Sequence, residues 1–232
     1  MDQTIIPIPR EQALIAMPAD QLLDKFGAGR HSPGSGSAAA LMGLLSAQLS
    51  ATVYKIAIRR DHGDIGQFTY LANQVDDVIV PRLKTLFQKD AEVFDDVIRI
   101  RTLRDAETDP TVKRRLRERA LRLLQEATDV VMEIITICQQ LIDYGIIAFD
   151  SGMNRVRGDS GSAISVAIAG AMSGCFIMSL NLNSFASGKW ASEQREKLAR
   201  TQTALLEKQA EALARIARLQ PSEQSTAQPS FF

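Results

Sequence analysis

The sequence predicts an all-α, single-domain helical bundle with two buried, small-residue-rich central helices, paired as a homodimer. Three observations carry this. Two spans, residues 32–54 and 160–188, contain no Asp, Glu, Lys or Arg. Each repeats small residues every four positions, which lets helix backbones approach closely. No alternating apolar run bounded by turn residues argues for a strand anywhere in the chain. At 232 residues, 45% hydrophobic and 23% charged, the chain is long and apolar enough to bury a sizeable core, which excludes disorder and a disulfide-stapled miniprotein.

The elements follow in chain order. Residues 1–18 read as a loose arm containing Pro7 and Pro9, and residues 19–219 as the helical domain. The first uncharged helix carries Ala39, Gly43, Ala47 and Ala51 on one stripe. From Leu83 the apolar positions run Leu83, Phe87, Phe94 and Val97, a helical rhythm whose missing member is Asp90. Pro110 suits the first turn of a further helix. Its Leu121, Leu124, Val131, Ile134, Ile135, Cys138, Leu141 and Ile142 cover enough circumference to make it central as well. The second uncharged helix carries Ala163, Ala167 and Ala171, with Gly170 and Gly174 adding another pair. A last helix is predicted from a cap at Ser192, with Leu198, Leu205, Ala212, Ile216 and Leu219 as a narrow stripe. Residues 220–232 read as a disordered polar tail.

Composition also excludes partners. Lys plus Arg equals Asp plus Glu, 27 of each, so no basic footprint for nucleic acid is present. The uncharged spans are long enough to cross a bilayer, but Ser, Gly, Ala, Gln and Asn interrupt both, and no membrane association is expected. Cys138 and Cys175 lack metal-binding or redox spacing and read as small buried hydrophobes of a reducing compartment. No signal sequence is visible at Met1-Asp2-Gln3, so a cytoplasmic location is expected. Phosphate-binding glycine motifs are absent, and His31 and His62 have no partner at ligand spacing, so neither a nucleotide cofactor nor a metal is expected.

Chemistry could sit in three places. The loop His31-Ser32-Pro33-Gly34-Ser35-Gly36-Ser37 opens the first uncharged helix, where converging amides and the helix dipole could hold an anion or polarised ligand. The bland alternative is a turn capped by Ser35 or Ser37. The segment from Asn154 to Ser162 opens the second uncharged helix, and Ser-Gly-Ser-Ala occurs both at 35–38 and at 160–163. Two like helix starts could frame one pocket if the helices lie side by side. Gly158-Asp159-Ser160-Gly161 also spells a serine-protease nucleophile motif, but here it enters a helix, and the match is rejected. Asp159 is either an N-terminal helix carboxylate or a functional one. Asp90, on an apolar stripe, is either a core ion-pair member or a site carboxylate with a raised pKa.

These segments resemble the family of formiminotetrahydrofolate cyclodeaminases and methenyltetrahydrofolate cyclohydrolases. Leu22-Leu23-Asp24-Lys25-Phe26 is similar to the family's first short helix. Residues from Ser32 to Leu41 are similar to its glycine loop and Ala-rich helix, and Asp90-Ala91-Glu92-Val93-Phe94 to its acidic segment. Glu126-Ala127-Thr128-Asp129-Val130 resembles its fourth helix. Asp159 matches the aspartate of its Asn/Asp loop, and Leu180-Asn181-Leu182 its closing Ile-Asn-Leu. Departures concentrate in the loops. His31 stands for the first Pro, Ser32 for Thr and Ser35 for the middle Gly. Met153 and Arg155 stand at two Asn positions flanking Asn154, Gly158 replaces a Ser and Ile177 an Asn.

The resemblance implies an all-α homodimer that hydrolyses or deaminatively cyclises a one-carbon unit on tetrahydrofolate, with the folate derivative as substrate and no cofactor. It implies proton transfer or counter-charge by Asp159 first and Asp90 second. His31, Ser32, Gly34, Ser35, Gly36, Ser37, Asn154 and Asn181 are the implied substrate-binding residues. A divergent member acting on a different cyclic imine or amidine, and a non-catalytic helical dimer, are the rival expectations.

Overall fold

A computed structural model describes residues 13–219, which form seven α-helices and no strand among them. They are α1 (Ala19–Gly27), α2 (Ser35–Arg59), α3 (Ile65–Asn73), α4 (Val80–Ala106), α5 (Pro110–Ser151), α6 (Arg157–Leu182) and α7 (Lys189–Ala217). The expected tail and most of the arm lie outside the described residues. Residues 13–18 are not loose: Leu14 is buried, and its amide donates to Gln88 Oε1 on α4 at 2.9 Å.

The two uncharged helices occupy the centre, as their stripes require. Ala39, Ala47, Ala163, Ala167 and Ala171 are fully inaccessible. A Cβ placed on Gly170 would sit 3.1 Å from the Ala39 carbonyl oxygen, and one on Gly174 only 2.3 Å from Ile135. Glycine at these two positions therefore sets how closely α2 and α5 approach α6. Those contacts also fix direction: the start of α2 lies beside the end of α6, so the two run antiparallel. The two Ser-Gly-Ser-Ala starts consequently lie at opposite ends of the bundle.

Asp109 caps α5 by accepting from the amides of Thr111 at 2.7 Å and Val112 at 3.0 Å, ahead of Pro110 in the first turn. The predicted helix at Leu83 begins much earlier. α3, capped by Asp64, runs into α4 through a π-helical turn, Gln74–Ile79. Pro81 explains the turn: it offers no amide, and its ring would crowd the carbonyl four residues back in a regular helix. α7 starts at Lys189 after Gly188, whose φ of 127° few residues but glycine adopt, so Ser192 is not the cap. The α7 stripe is buried at Leu198 and Leu205, but Ile216 and Leu219 stay exposed.

Burial pushes the Cys138 thiol up to about 12, in keeping with an inert core side chain. By length and composition α2, α5 and the segment Asn154–Leu182 could each cross a membrane, one segment more than the charge-free spans suggest. Half of each such window is buried inside the bundle.

Candidate functional site

The start of α2, the middle of α4 and α5, and the end of α6 meet around one cleft. It is lined by His31, Gly34, Ser35, Gly36, Asp90 and Asn181, with Phe94, Ala127, Val131 and Ile177 as apolar walls. Asp90 is its buried acid, 6% exposed, and its Oδ2 accepts from the Ser37 hydroxyl at 2.9 Å. The same hydroxyl lies 3.3 Å from the Phe87 carbonyl oxygen. Burial raises the Asp90 pKa, and hydrogen bonds from the Ser37 hydroxyl and amide oppose that rise.

This arrangement replaces both caps weighed from sequence. Gly34 is the N-cap residue and makes no side-chain cap bond, while Ser35 and Ser37 lie inside the helix. The carboxylate of Asp90, fifty-three residues away in sequence from Ser37, accepts from the Ser37 hydroxyl and amide in the first turn of α2 instead. Gly36 makes this possible, because a Cβ there would lie 2.0 Å from Asp90 Oδ1. Among the described residues Asp90 therefore forms no ion pair: it is buried, and it faces the cleft on one side and a helix start on the other.

Of the residues expected to bind substrate, His31, Gly34, Ser35, Gly36 and Asn181 line the cleft, and Ser37 supports it from behind Asp90. Ser32 is directed at α4, 3.4 Å from the Ala91 carbonyl oxygen. Asn154 and Asp159 are not at the cleft. Asp159 and Asn181 sit 22 residues apart on one helix, roughly 33 Å at about 1.5 Å per residue. The expectation that the two like helix starts frame one pocket is thus corrected by the antiparallel packing of α2 and α6. Phe94, Ala127, Val131 and Ile177 were not singled out as site residues. Their signal was the helical spacing Asp90/Phe94, Ala127/Val131 and Ile177/Asn181, which places each pair on one face.

The chemistry available is specific. A buried carboxyl group with a raised pKa can take up and release a proton, and when ionised it offers a negative charge to a cationic ligand. The His31 side chain is exposed at the rim and Asn181 is half-buried. The cleft's volume is about 100 Å³. Sites that enclose a drug-sized ligand usually offer roughly 300–1,000 Å³, so one chain encloses only part of such a ligand.

Known proteins share this architecture. The sequence profile described as formiminotransferase-cyclodeaminase matches residues 18–200. A methenyltetrahydrofolate cyclohydrolase from Methylorubrum extorquens strain AM1 is 25% identical over 180 residues, covering 77% of this chain and 86% of its own. The crystal structure of formiminotetrahydrofolate cyclodeaminase from Thermotoga maritima superposes with a TM-score of 0.75 at 14% identity, over 89% of this chain and 98% of that one.

Proposed function

The chain belongs to the formiminotransferase-cyclodeaminase family, and from that premise we propose that it is an enzyme acting on the one-carbon unit of a tetrahydrofolate derivative. The reaction is either hydrolysis of a methenyl bridge or cyclisation of a formimino group with loss of ammonia. The observation that carries this reading is Asp90, held at the floor of the cleft with its charge disfavoured by burial and one oxygen fixed by Ser37.

Both reactions pass through a tetrahedral carbon bonded to nitrogen. In the hydrolytic direction water adds to the cyclic amidinium carbon and its proton moves to Asp90. The proton then passes to the departing nitrogen as the carbon–nitrogen bond breaks, leaving a formyl group. In the cyclising direction a ring-forming amine adds to the formimino carbon, and the proton delivered to its nitrogen lets ammonia leave. Proton transfer of this kind contributes roughly 10²–10⁴-fold in rate. The start of α2 would line the pocket with amides, and Asn181 would orient the substrate. On this reading the protein acts as a cytoplasmic homodimer without metal or nucleotide cofactor, and nucleic acid is not a partner.

The test is the methenyl chromophore. Purified protein should remove it from methenyltetrahydrofolate well above the buffer rate, or generate it from formiminotetrahydrofolate with release of ammonia. No change with either substrate would overturn the proposal.

A further inference from the structure

We propose that His31 is a proton relay for the hydrolytic reaction, carrying to solvent the one proton that Asp90 must discard in every turnover. This role rests on the folate reading and on its hydrolytic direction.

The need for an exit follows from the balance of the reaction. A methenyl bridge is an amidinium cation, whereas the formyl product with its freed amine is neutral. Water therefore brings two protons, of which the product keeps one. The first moves through Asp90 to the departing nitrogen. The second is shed by the tetrahedral hydroxyl as its oxygen becomes the formyl carbonyl, and Asp90, by then ionised again, accepts it. Asp90 thus ends each turnover protonated and must be emptied before it can activate the next water. Cyclisation leaves no such surplus. There the proton of the attacking amine leaves with ammonia from the protonated formimino group, and the charge stays on the new ring.

The fold makes Asp90 a poor donor to bulk water. The residue is 6% exposed, and burial raises its pKa, which favours a base over water as the acceptor. Among the described residues lining the cleft, His31 is the one other titratable side chain near neutral pH. The cleft neighbours from α2, α5 and α6, among them Ser35, Ala127, Ile177 and Asn181, carry no charge. Arg30 precedes His31 in the chain but does not line the cleft. Imidazole is the side chain suited to taking up and releasing a proton in this range.

Position supports the same role. His31 is exposed at the rim, while Asp90 is buried at the floor. Two contacts hold the loop there. The Ser32 hydroxyl donates to the carbonyl of Ala91, the residue after Asp90, at 3.4 Å. Gly34 lets the loop close, since a Cβ there would sit 3.0 Å from the His31 carbonyl oxygen. Between rim and floor the cleft, about 100 Å³ in volume, has room for water, and its polar walls give that water partners. A proton can pass along such a path once product has left. His31 therefore acts through Asp90, and not on the reacting carbon.

The experiment compares His31→Ala with wild type in dilute buffer by loss of the methenyl chromophore. Emptying Asp90 comes after the chemistry, so kcat should fall by about tenfold or more, the scale of a lost proton-transfer group, while kcat/KM stays unchanged. Added imidazole should restore the kcat of the variant in a saturable way and leave wild type unmoved. His62→Ala, which removes the other histidine of the chain just past the far end of α2, should behave as wild type. An unchanged kcat, a raised KM with lower kcat/KM, or a lost kcat that imidazole does not restore would overturn the relay alone. A wild-type protein that only cyclises has no proton to export and also rejects it. Wild-type protein inactive on both substrates fails the folate reading itself, and the relay with it.

Discussion

The same tetrapeptide, Ser-Gly-Ser-Ala, sits near the start of both central helices, and the two copies do different work. At 35–38 it is the first turn of α2: Gly36 abuts Asp90, and Ser37 turns inward to bind that carboxylate. At 160–163 it sits one turn inside α6. There Ser160 bonds back to the Val156 carbonyl of its own helix at 3.1 Å, and a Cβ on Gly161 would meet nothing closer than Phe149 at 3.9 Å. Local sequence is identical, so it does not distinguish the two. What separates them is register within the helix and the arrival of one carboxylate from α4.

The comparison breaks most sharply at the glycines. Gly36→Ala forces either the methyl or the Asp90 carboxylate out of place. It should destabilise by about 1–3 kcal/mol, as overpacking usually does, and should abolish turnover. Gly161→Ala should instead be neutral or stabilising by about 0.5–1 kcal/mol, the ordinary gain of alanine inside a helix. Thermal melts of the two variants side by side check this. Equal losses would show that Gly36 does not make room for Asp90.

Ser37→Ala comes next in stability. It removes a hydrogen-bond donor to a buried carboxyl group, a loss of about 1–3 kcal/mol, while the Ser37 amide remains. Because that hydroxyl lowers the Asp90 pKa, its removal should raise the pKa further. The acid limb of the pH–rate profile should therefore move to higher pH. Ser162→Ala, on the exposed face of α6, should shift neither the melting temperature of the monomer nor that limb.

Asp90→Asn should change stability less and activity more. The native state holds the Asp90 proton more tightly than the unfolded chain, whose value is near 3.8. Below that value the carboxyl is neutral in both states, and no penalty arises. As pH rises from there toward the raised native pKa, the native state binds more protons than the unfolded one, so wild-type stability falls; above the native pKa the loss is constant. Asn keeps an acceptor for Ser37 and never ionises. The variant should lack this pH slope and melt no lower than wild type at pH 7, while turnover falls by roughly 10²–10⁴-fold. Denaturant midpoints measured between pH 4 and pH 8 decide the sign.

Much of this was legible in the residues, for identifiable reasons. Small-residue stripes at 39–51 and 163–171 mark helices that must be buried, and Asp90 interrupting a run of apolar residues marks a carboxylate that cannot face solvent. Helix direction was not legible. Nothing in α2 or α6 alone says that the end of one lies beside the start of the other, so the two like helix starts were expected to frame one pocket. The continuation of α4 back to Ile65 was hidden by Pro81, which reads as a boundary until a π-helical turn accommodates it. The cap at Gly188 was hidden for a similar reason, because a positive φ is a property of the chain path and not of neighbouring side chains.

Asp159→Asn should also change stability little, and it sharpens the comparison furthest. Asp159 lies in the first turn of α6, where a negative charge is worth about 0.3–1 kcal/mol against the helix dipole. Arg157 is engaged elsewhere, over the Phe149 ring and toward its carbonyl, so removing the charge breaks no ion pair among the described residues. Melting temperature should therefore move by no more than about 2–4 °C, the shift expected for 1 kcal/mol in a chain of this size. If Asp159 only steadies its helix, turnover should be untouched. If it takes part in the reaction, turnover should drop at least tenfold, an order-of-magnitude figure for a lost proton-transfer or counter-charge group. Asp90→Asn in the same assay supplies the scale. Two variants that both melt like wild type and both lose turnover would place the carboxylates in one reaction although a single chain holds them roughly 30 Å apart.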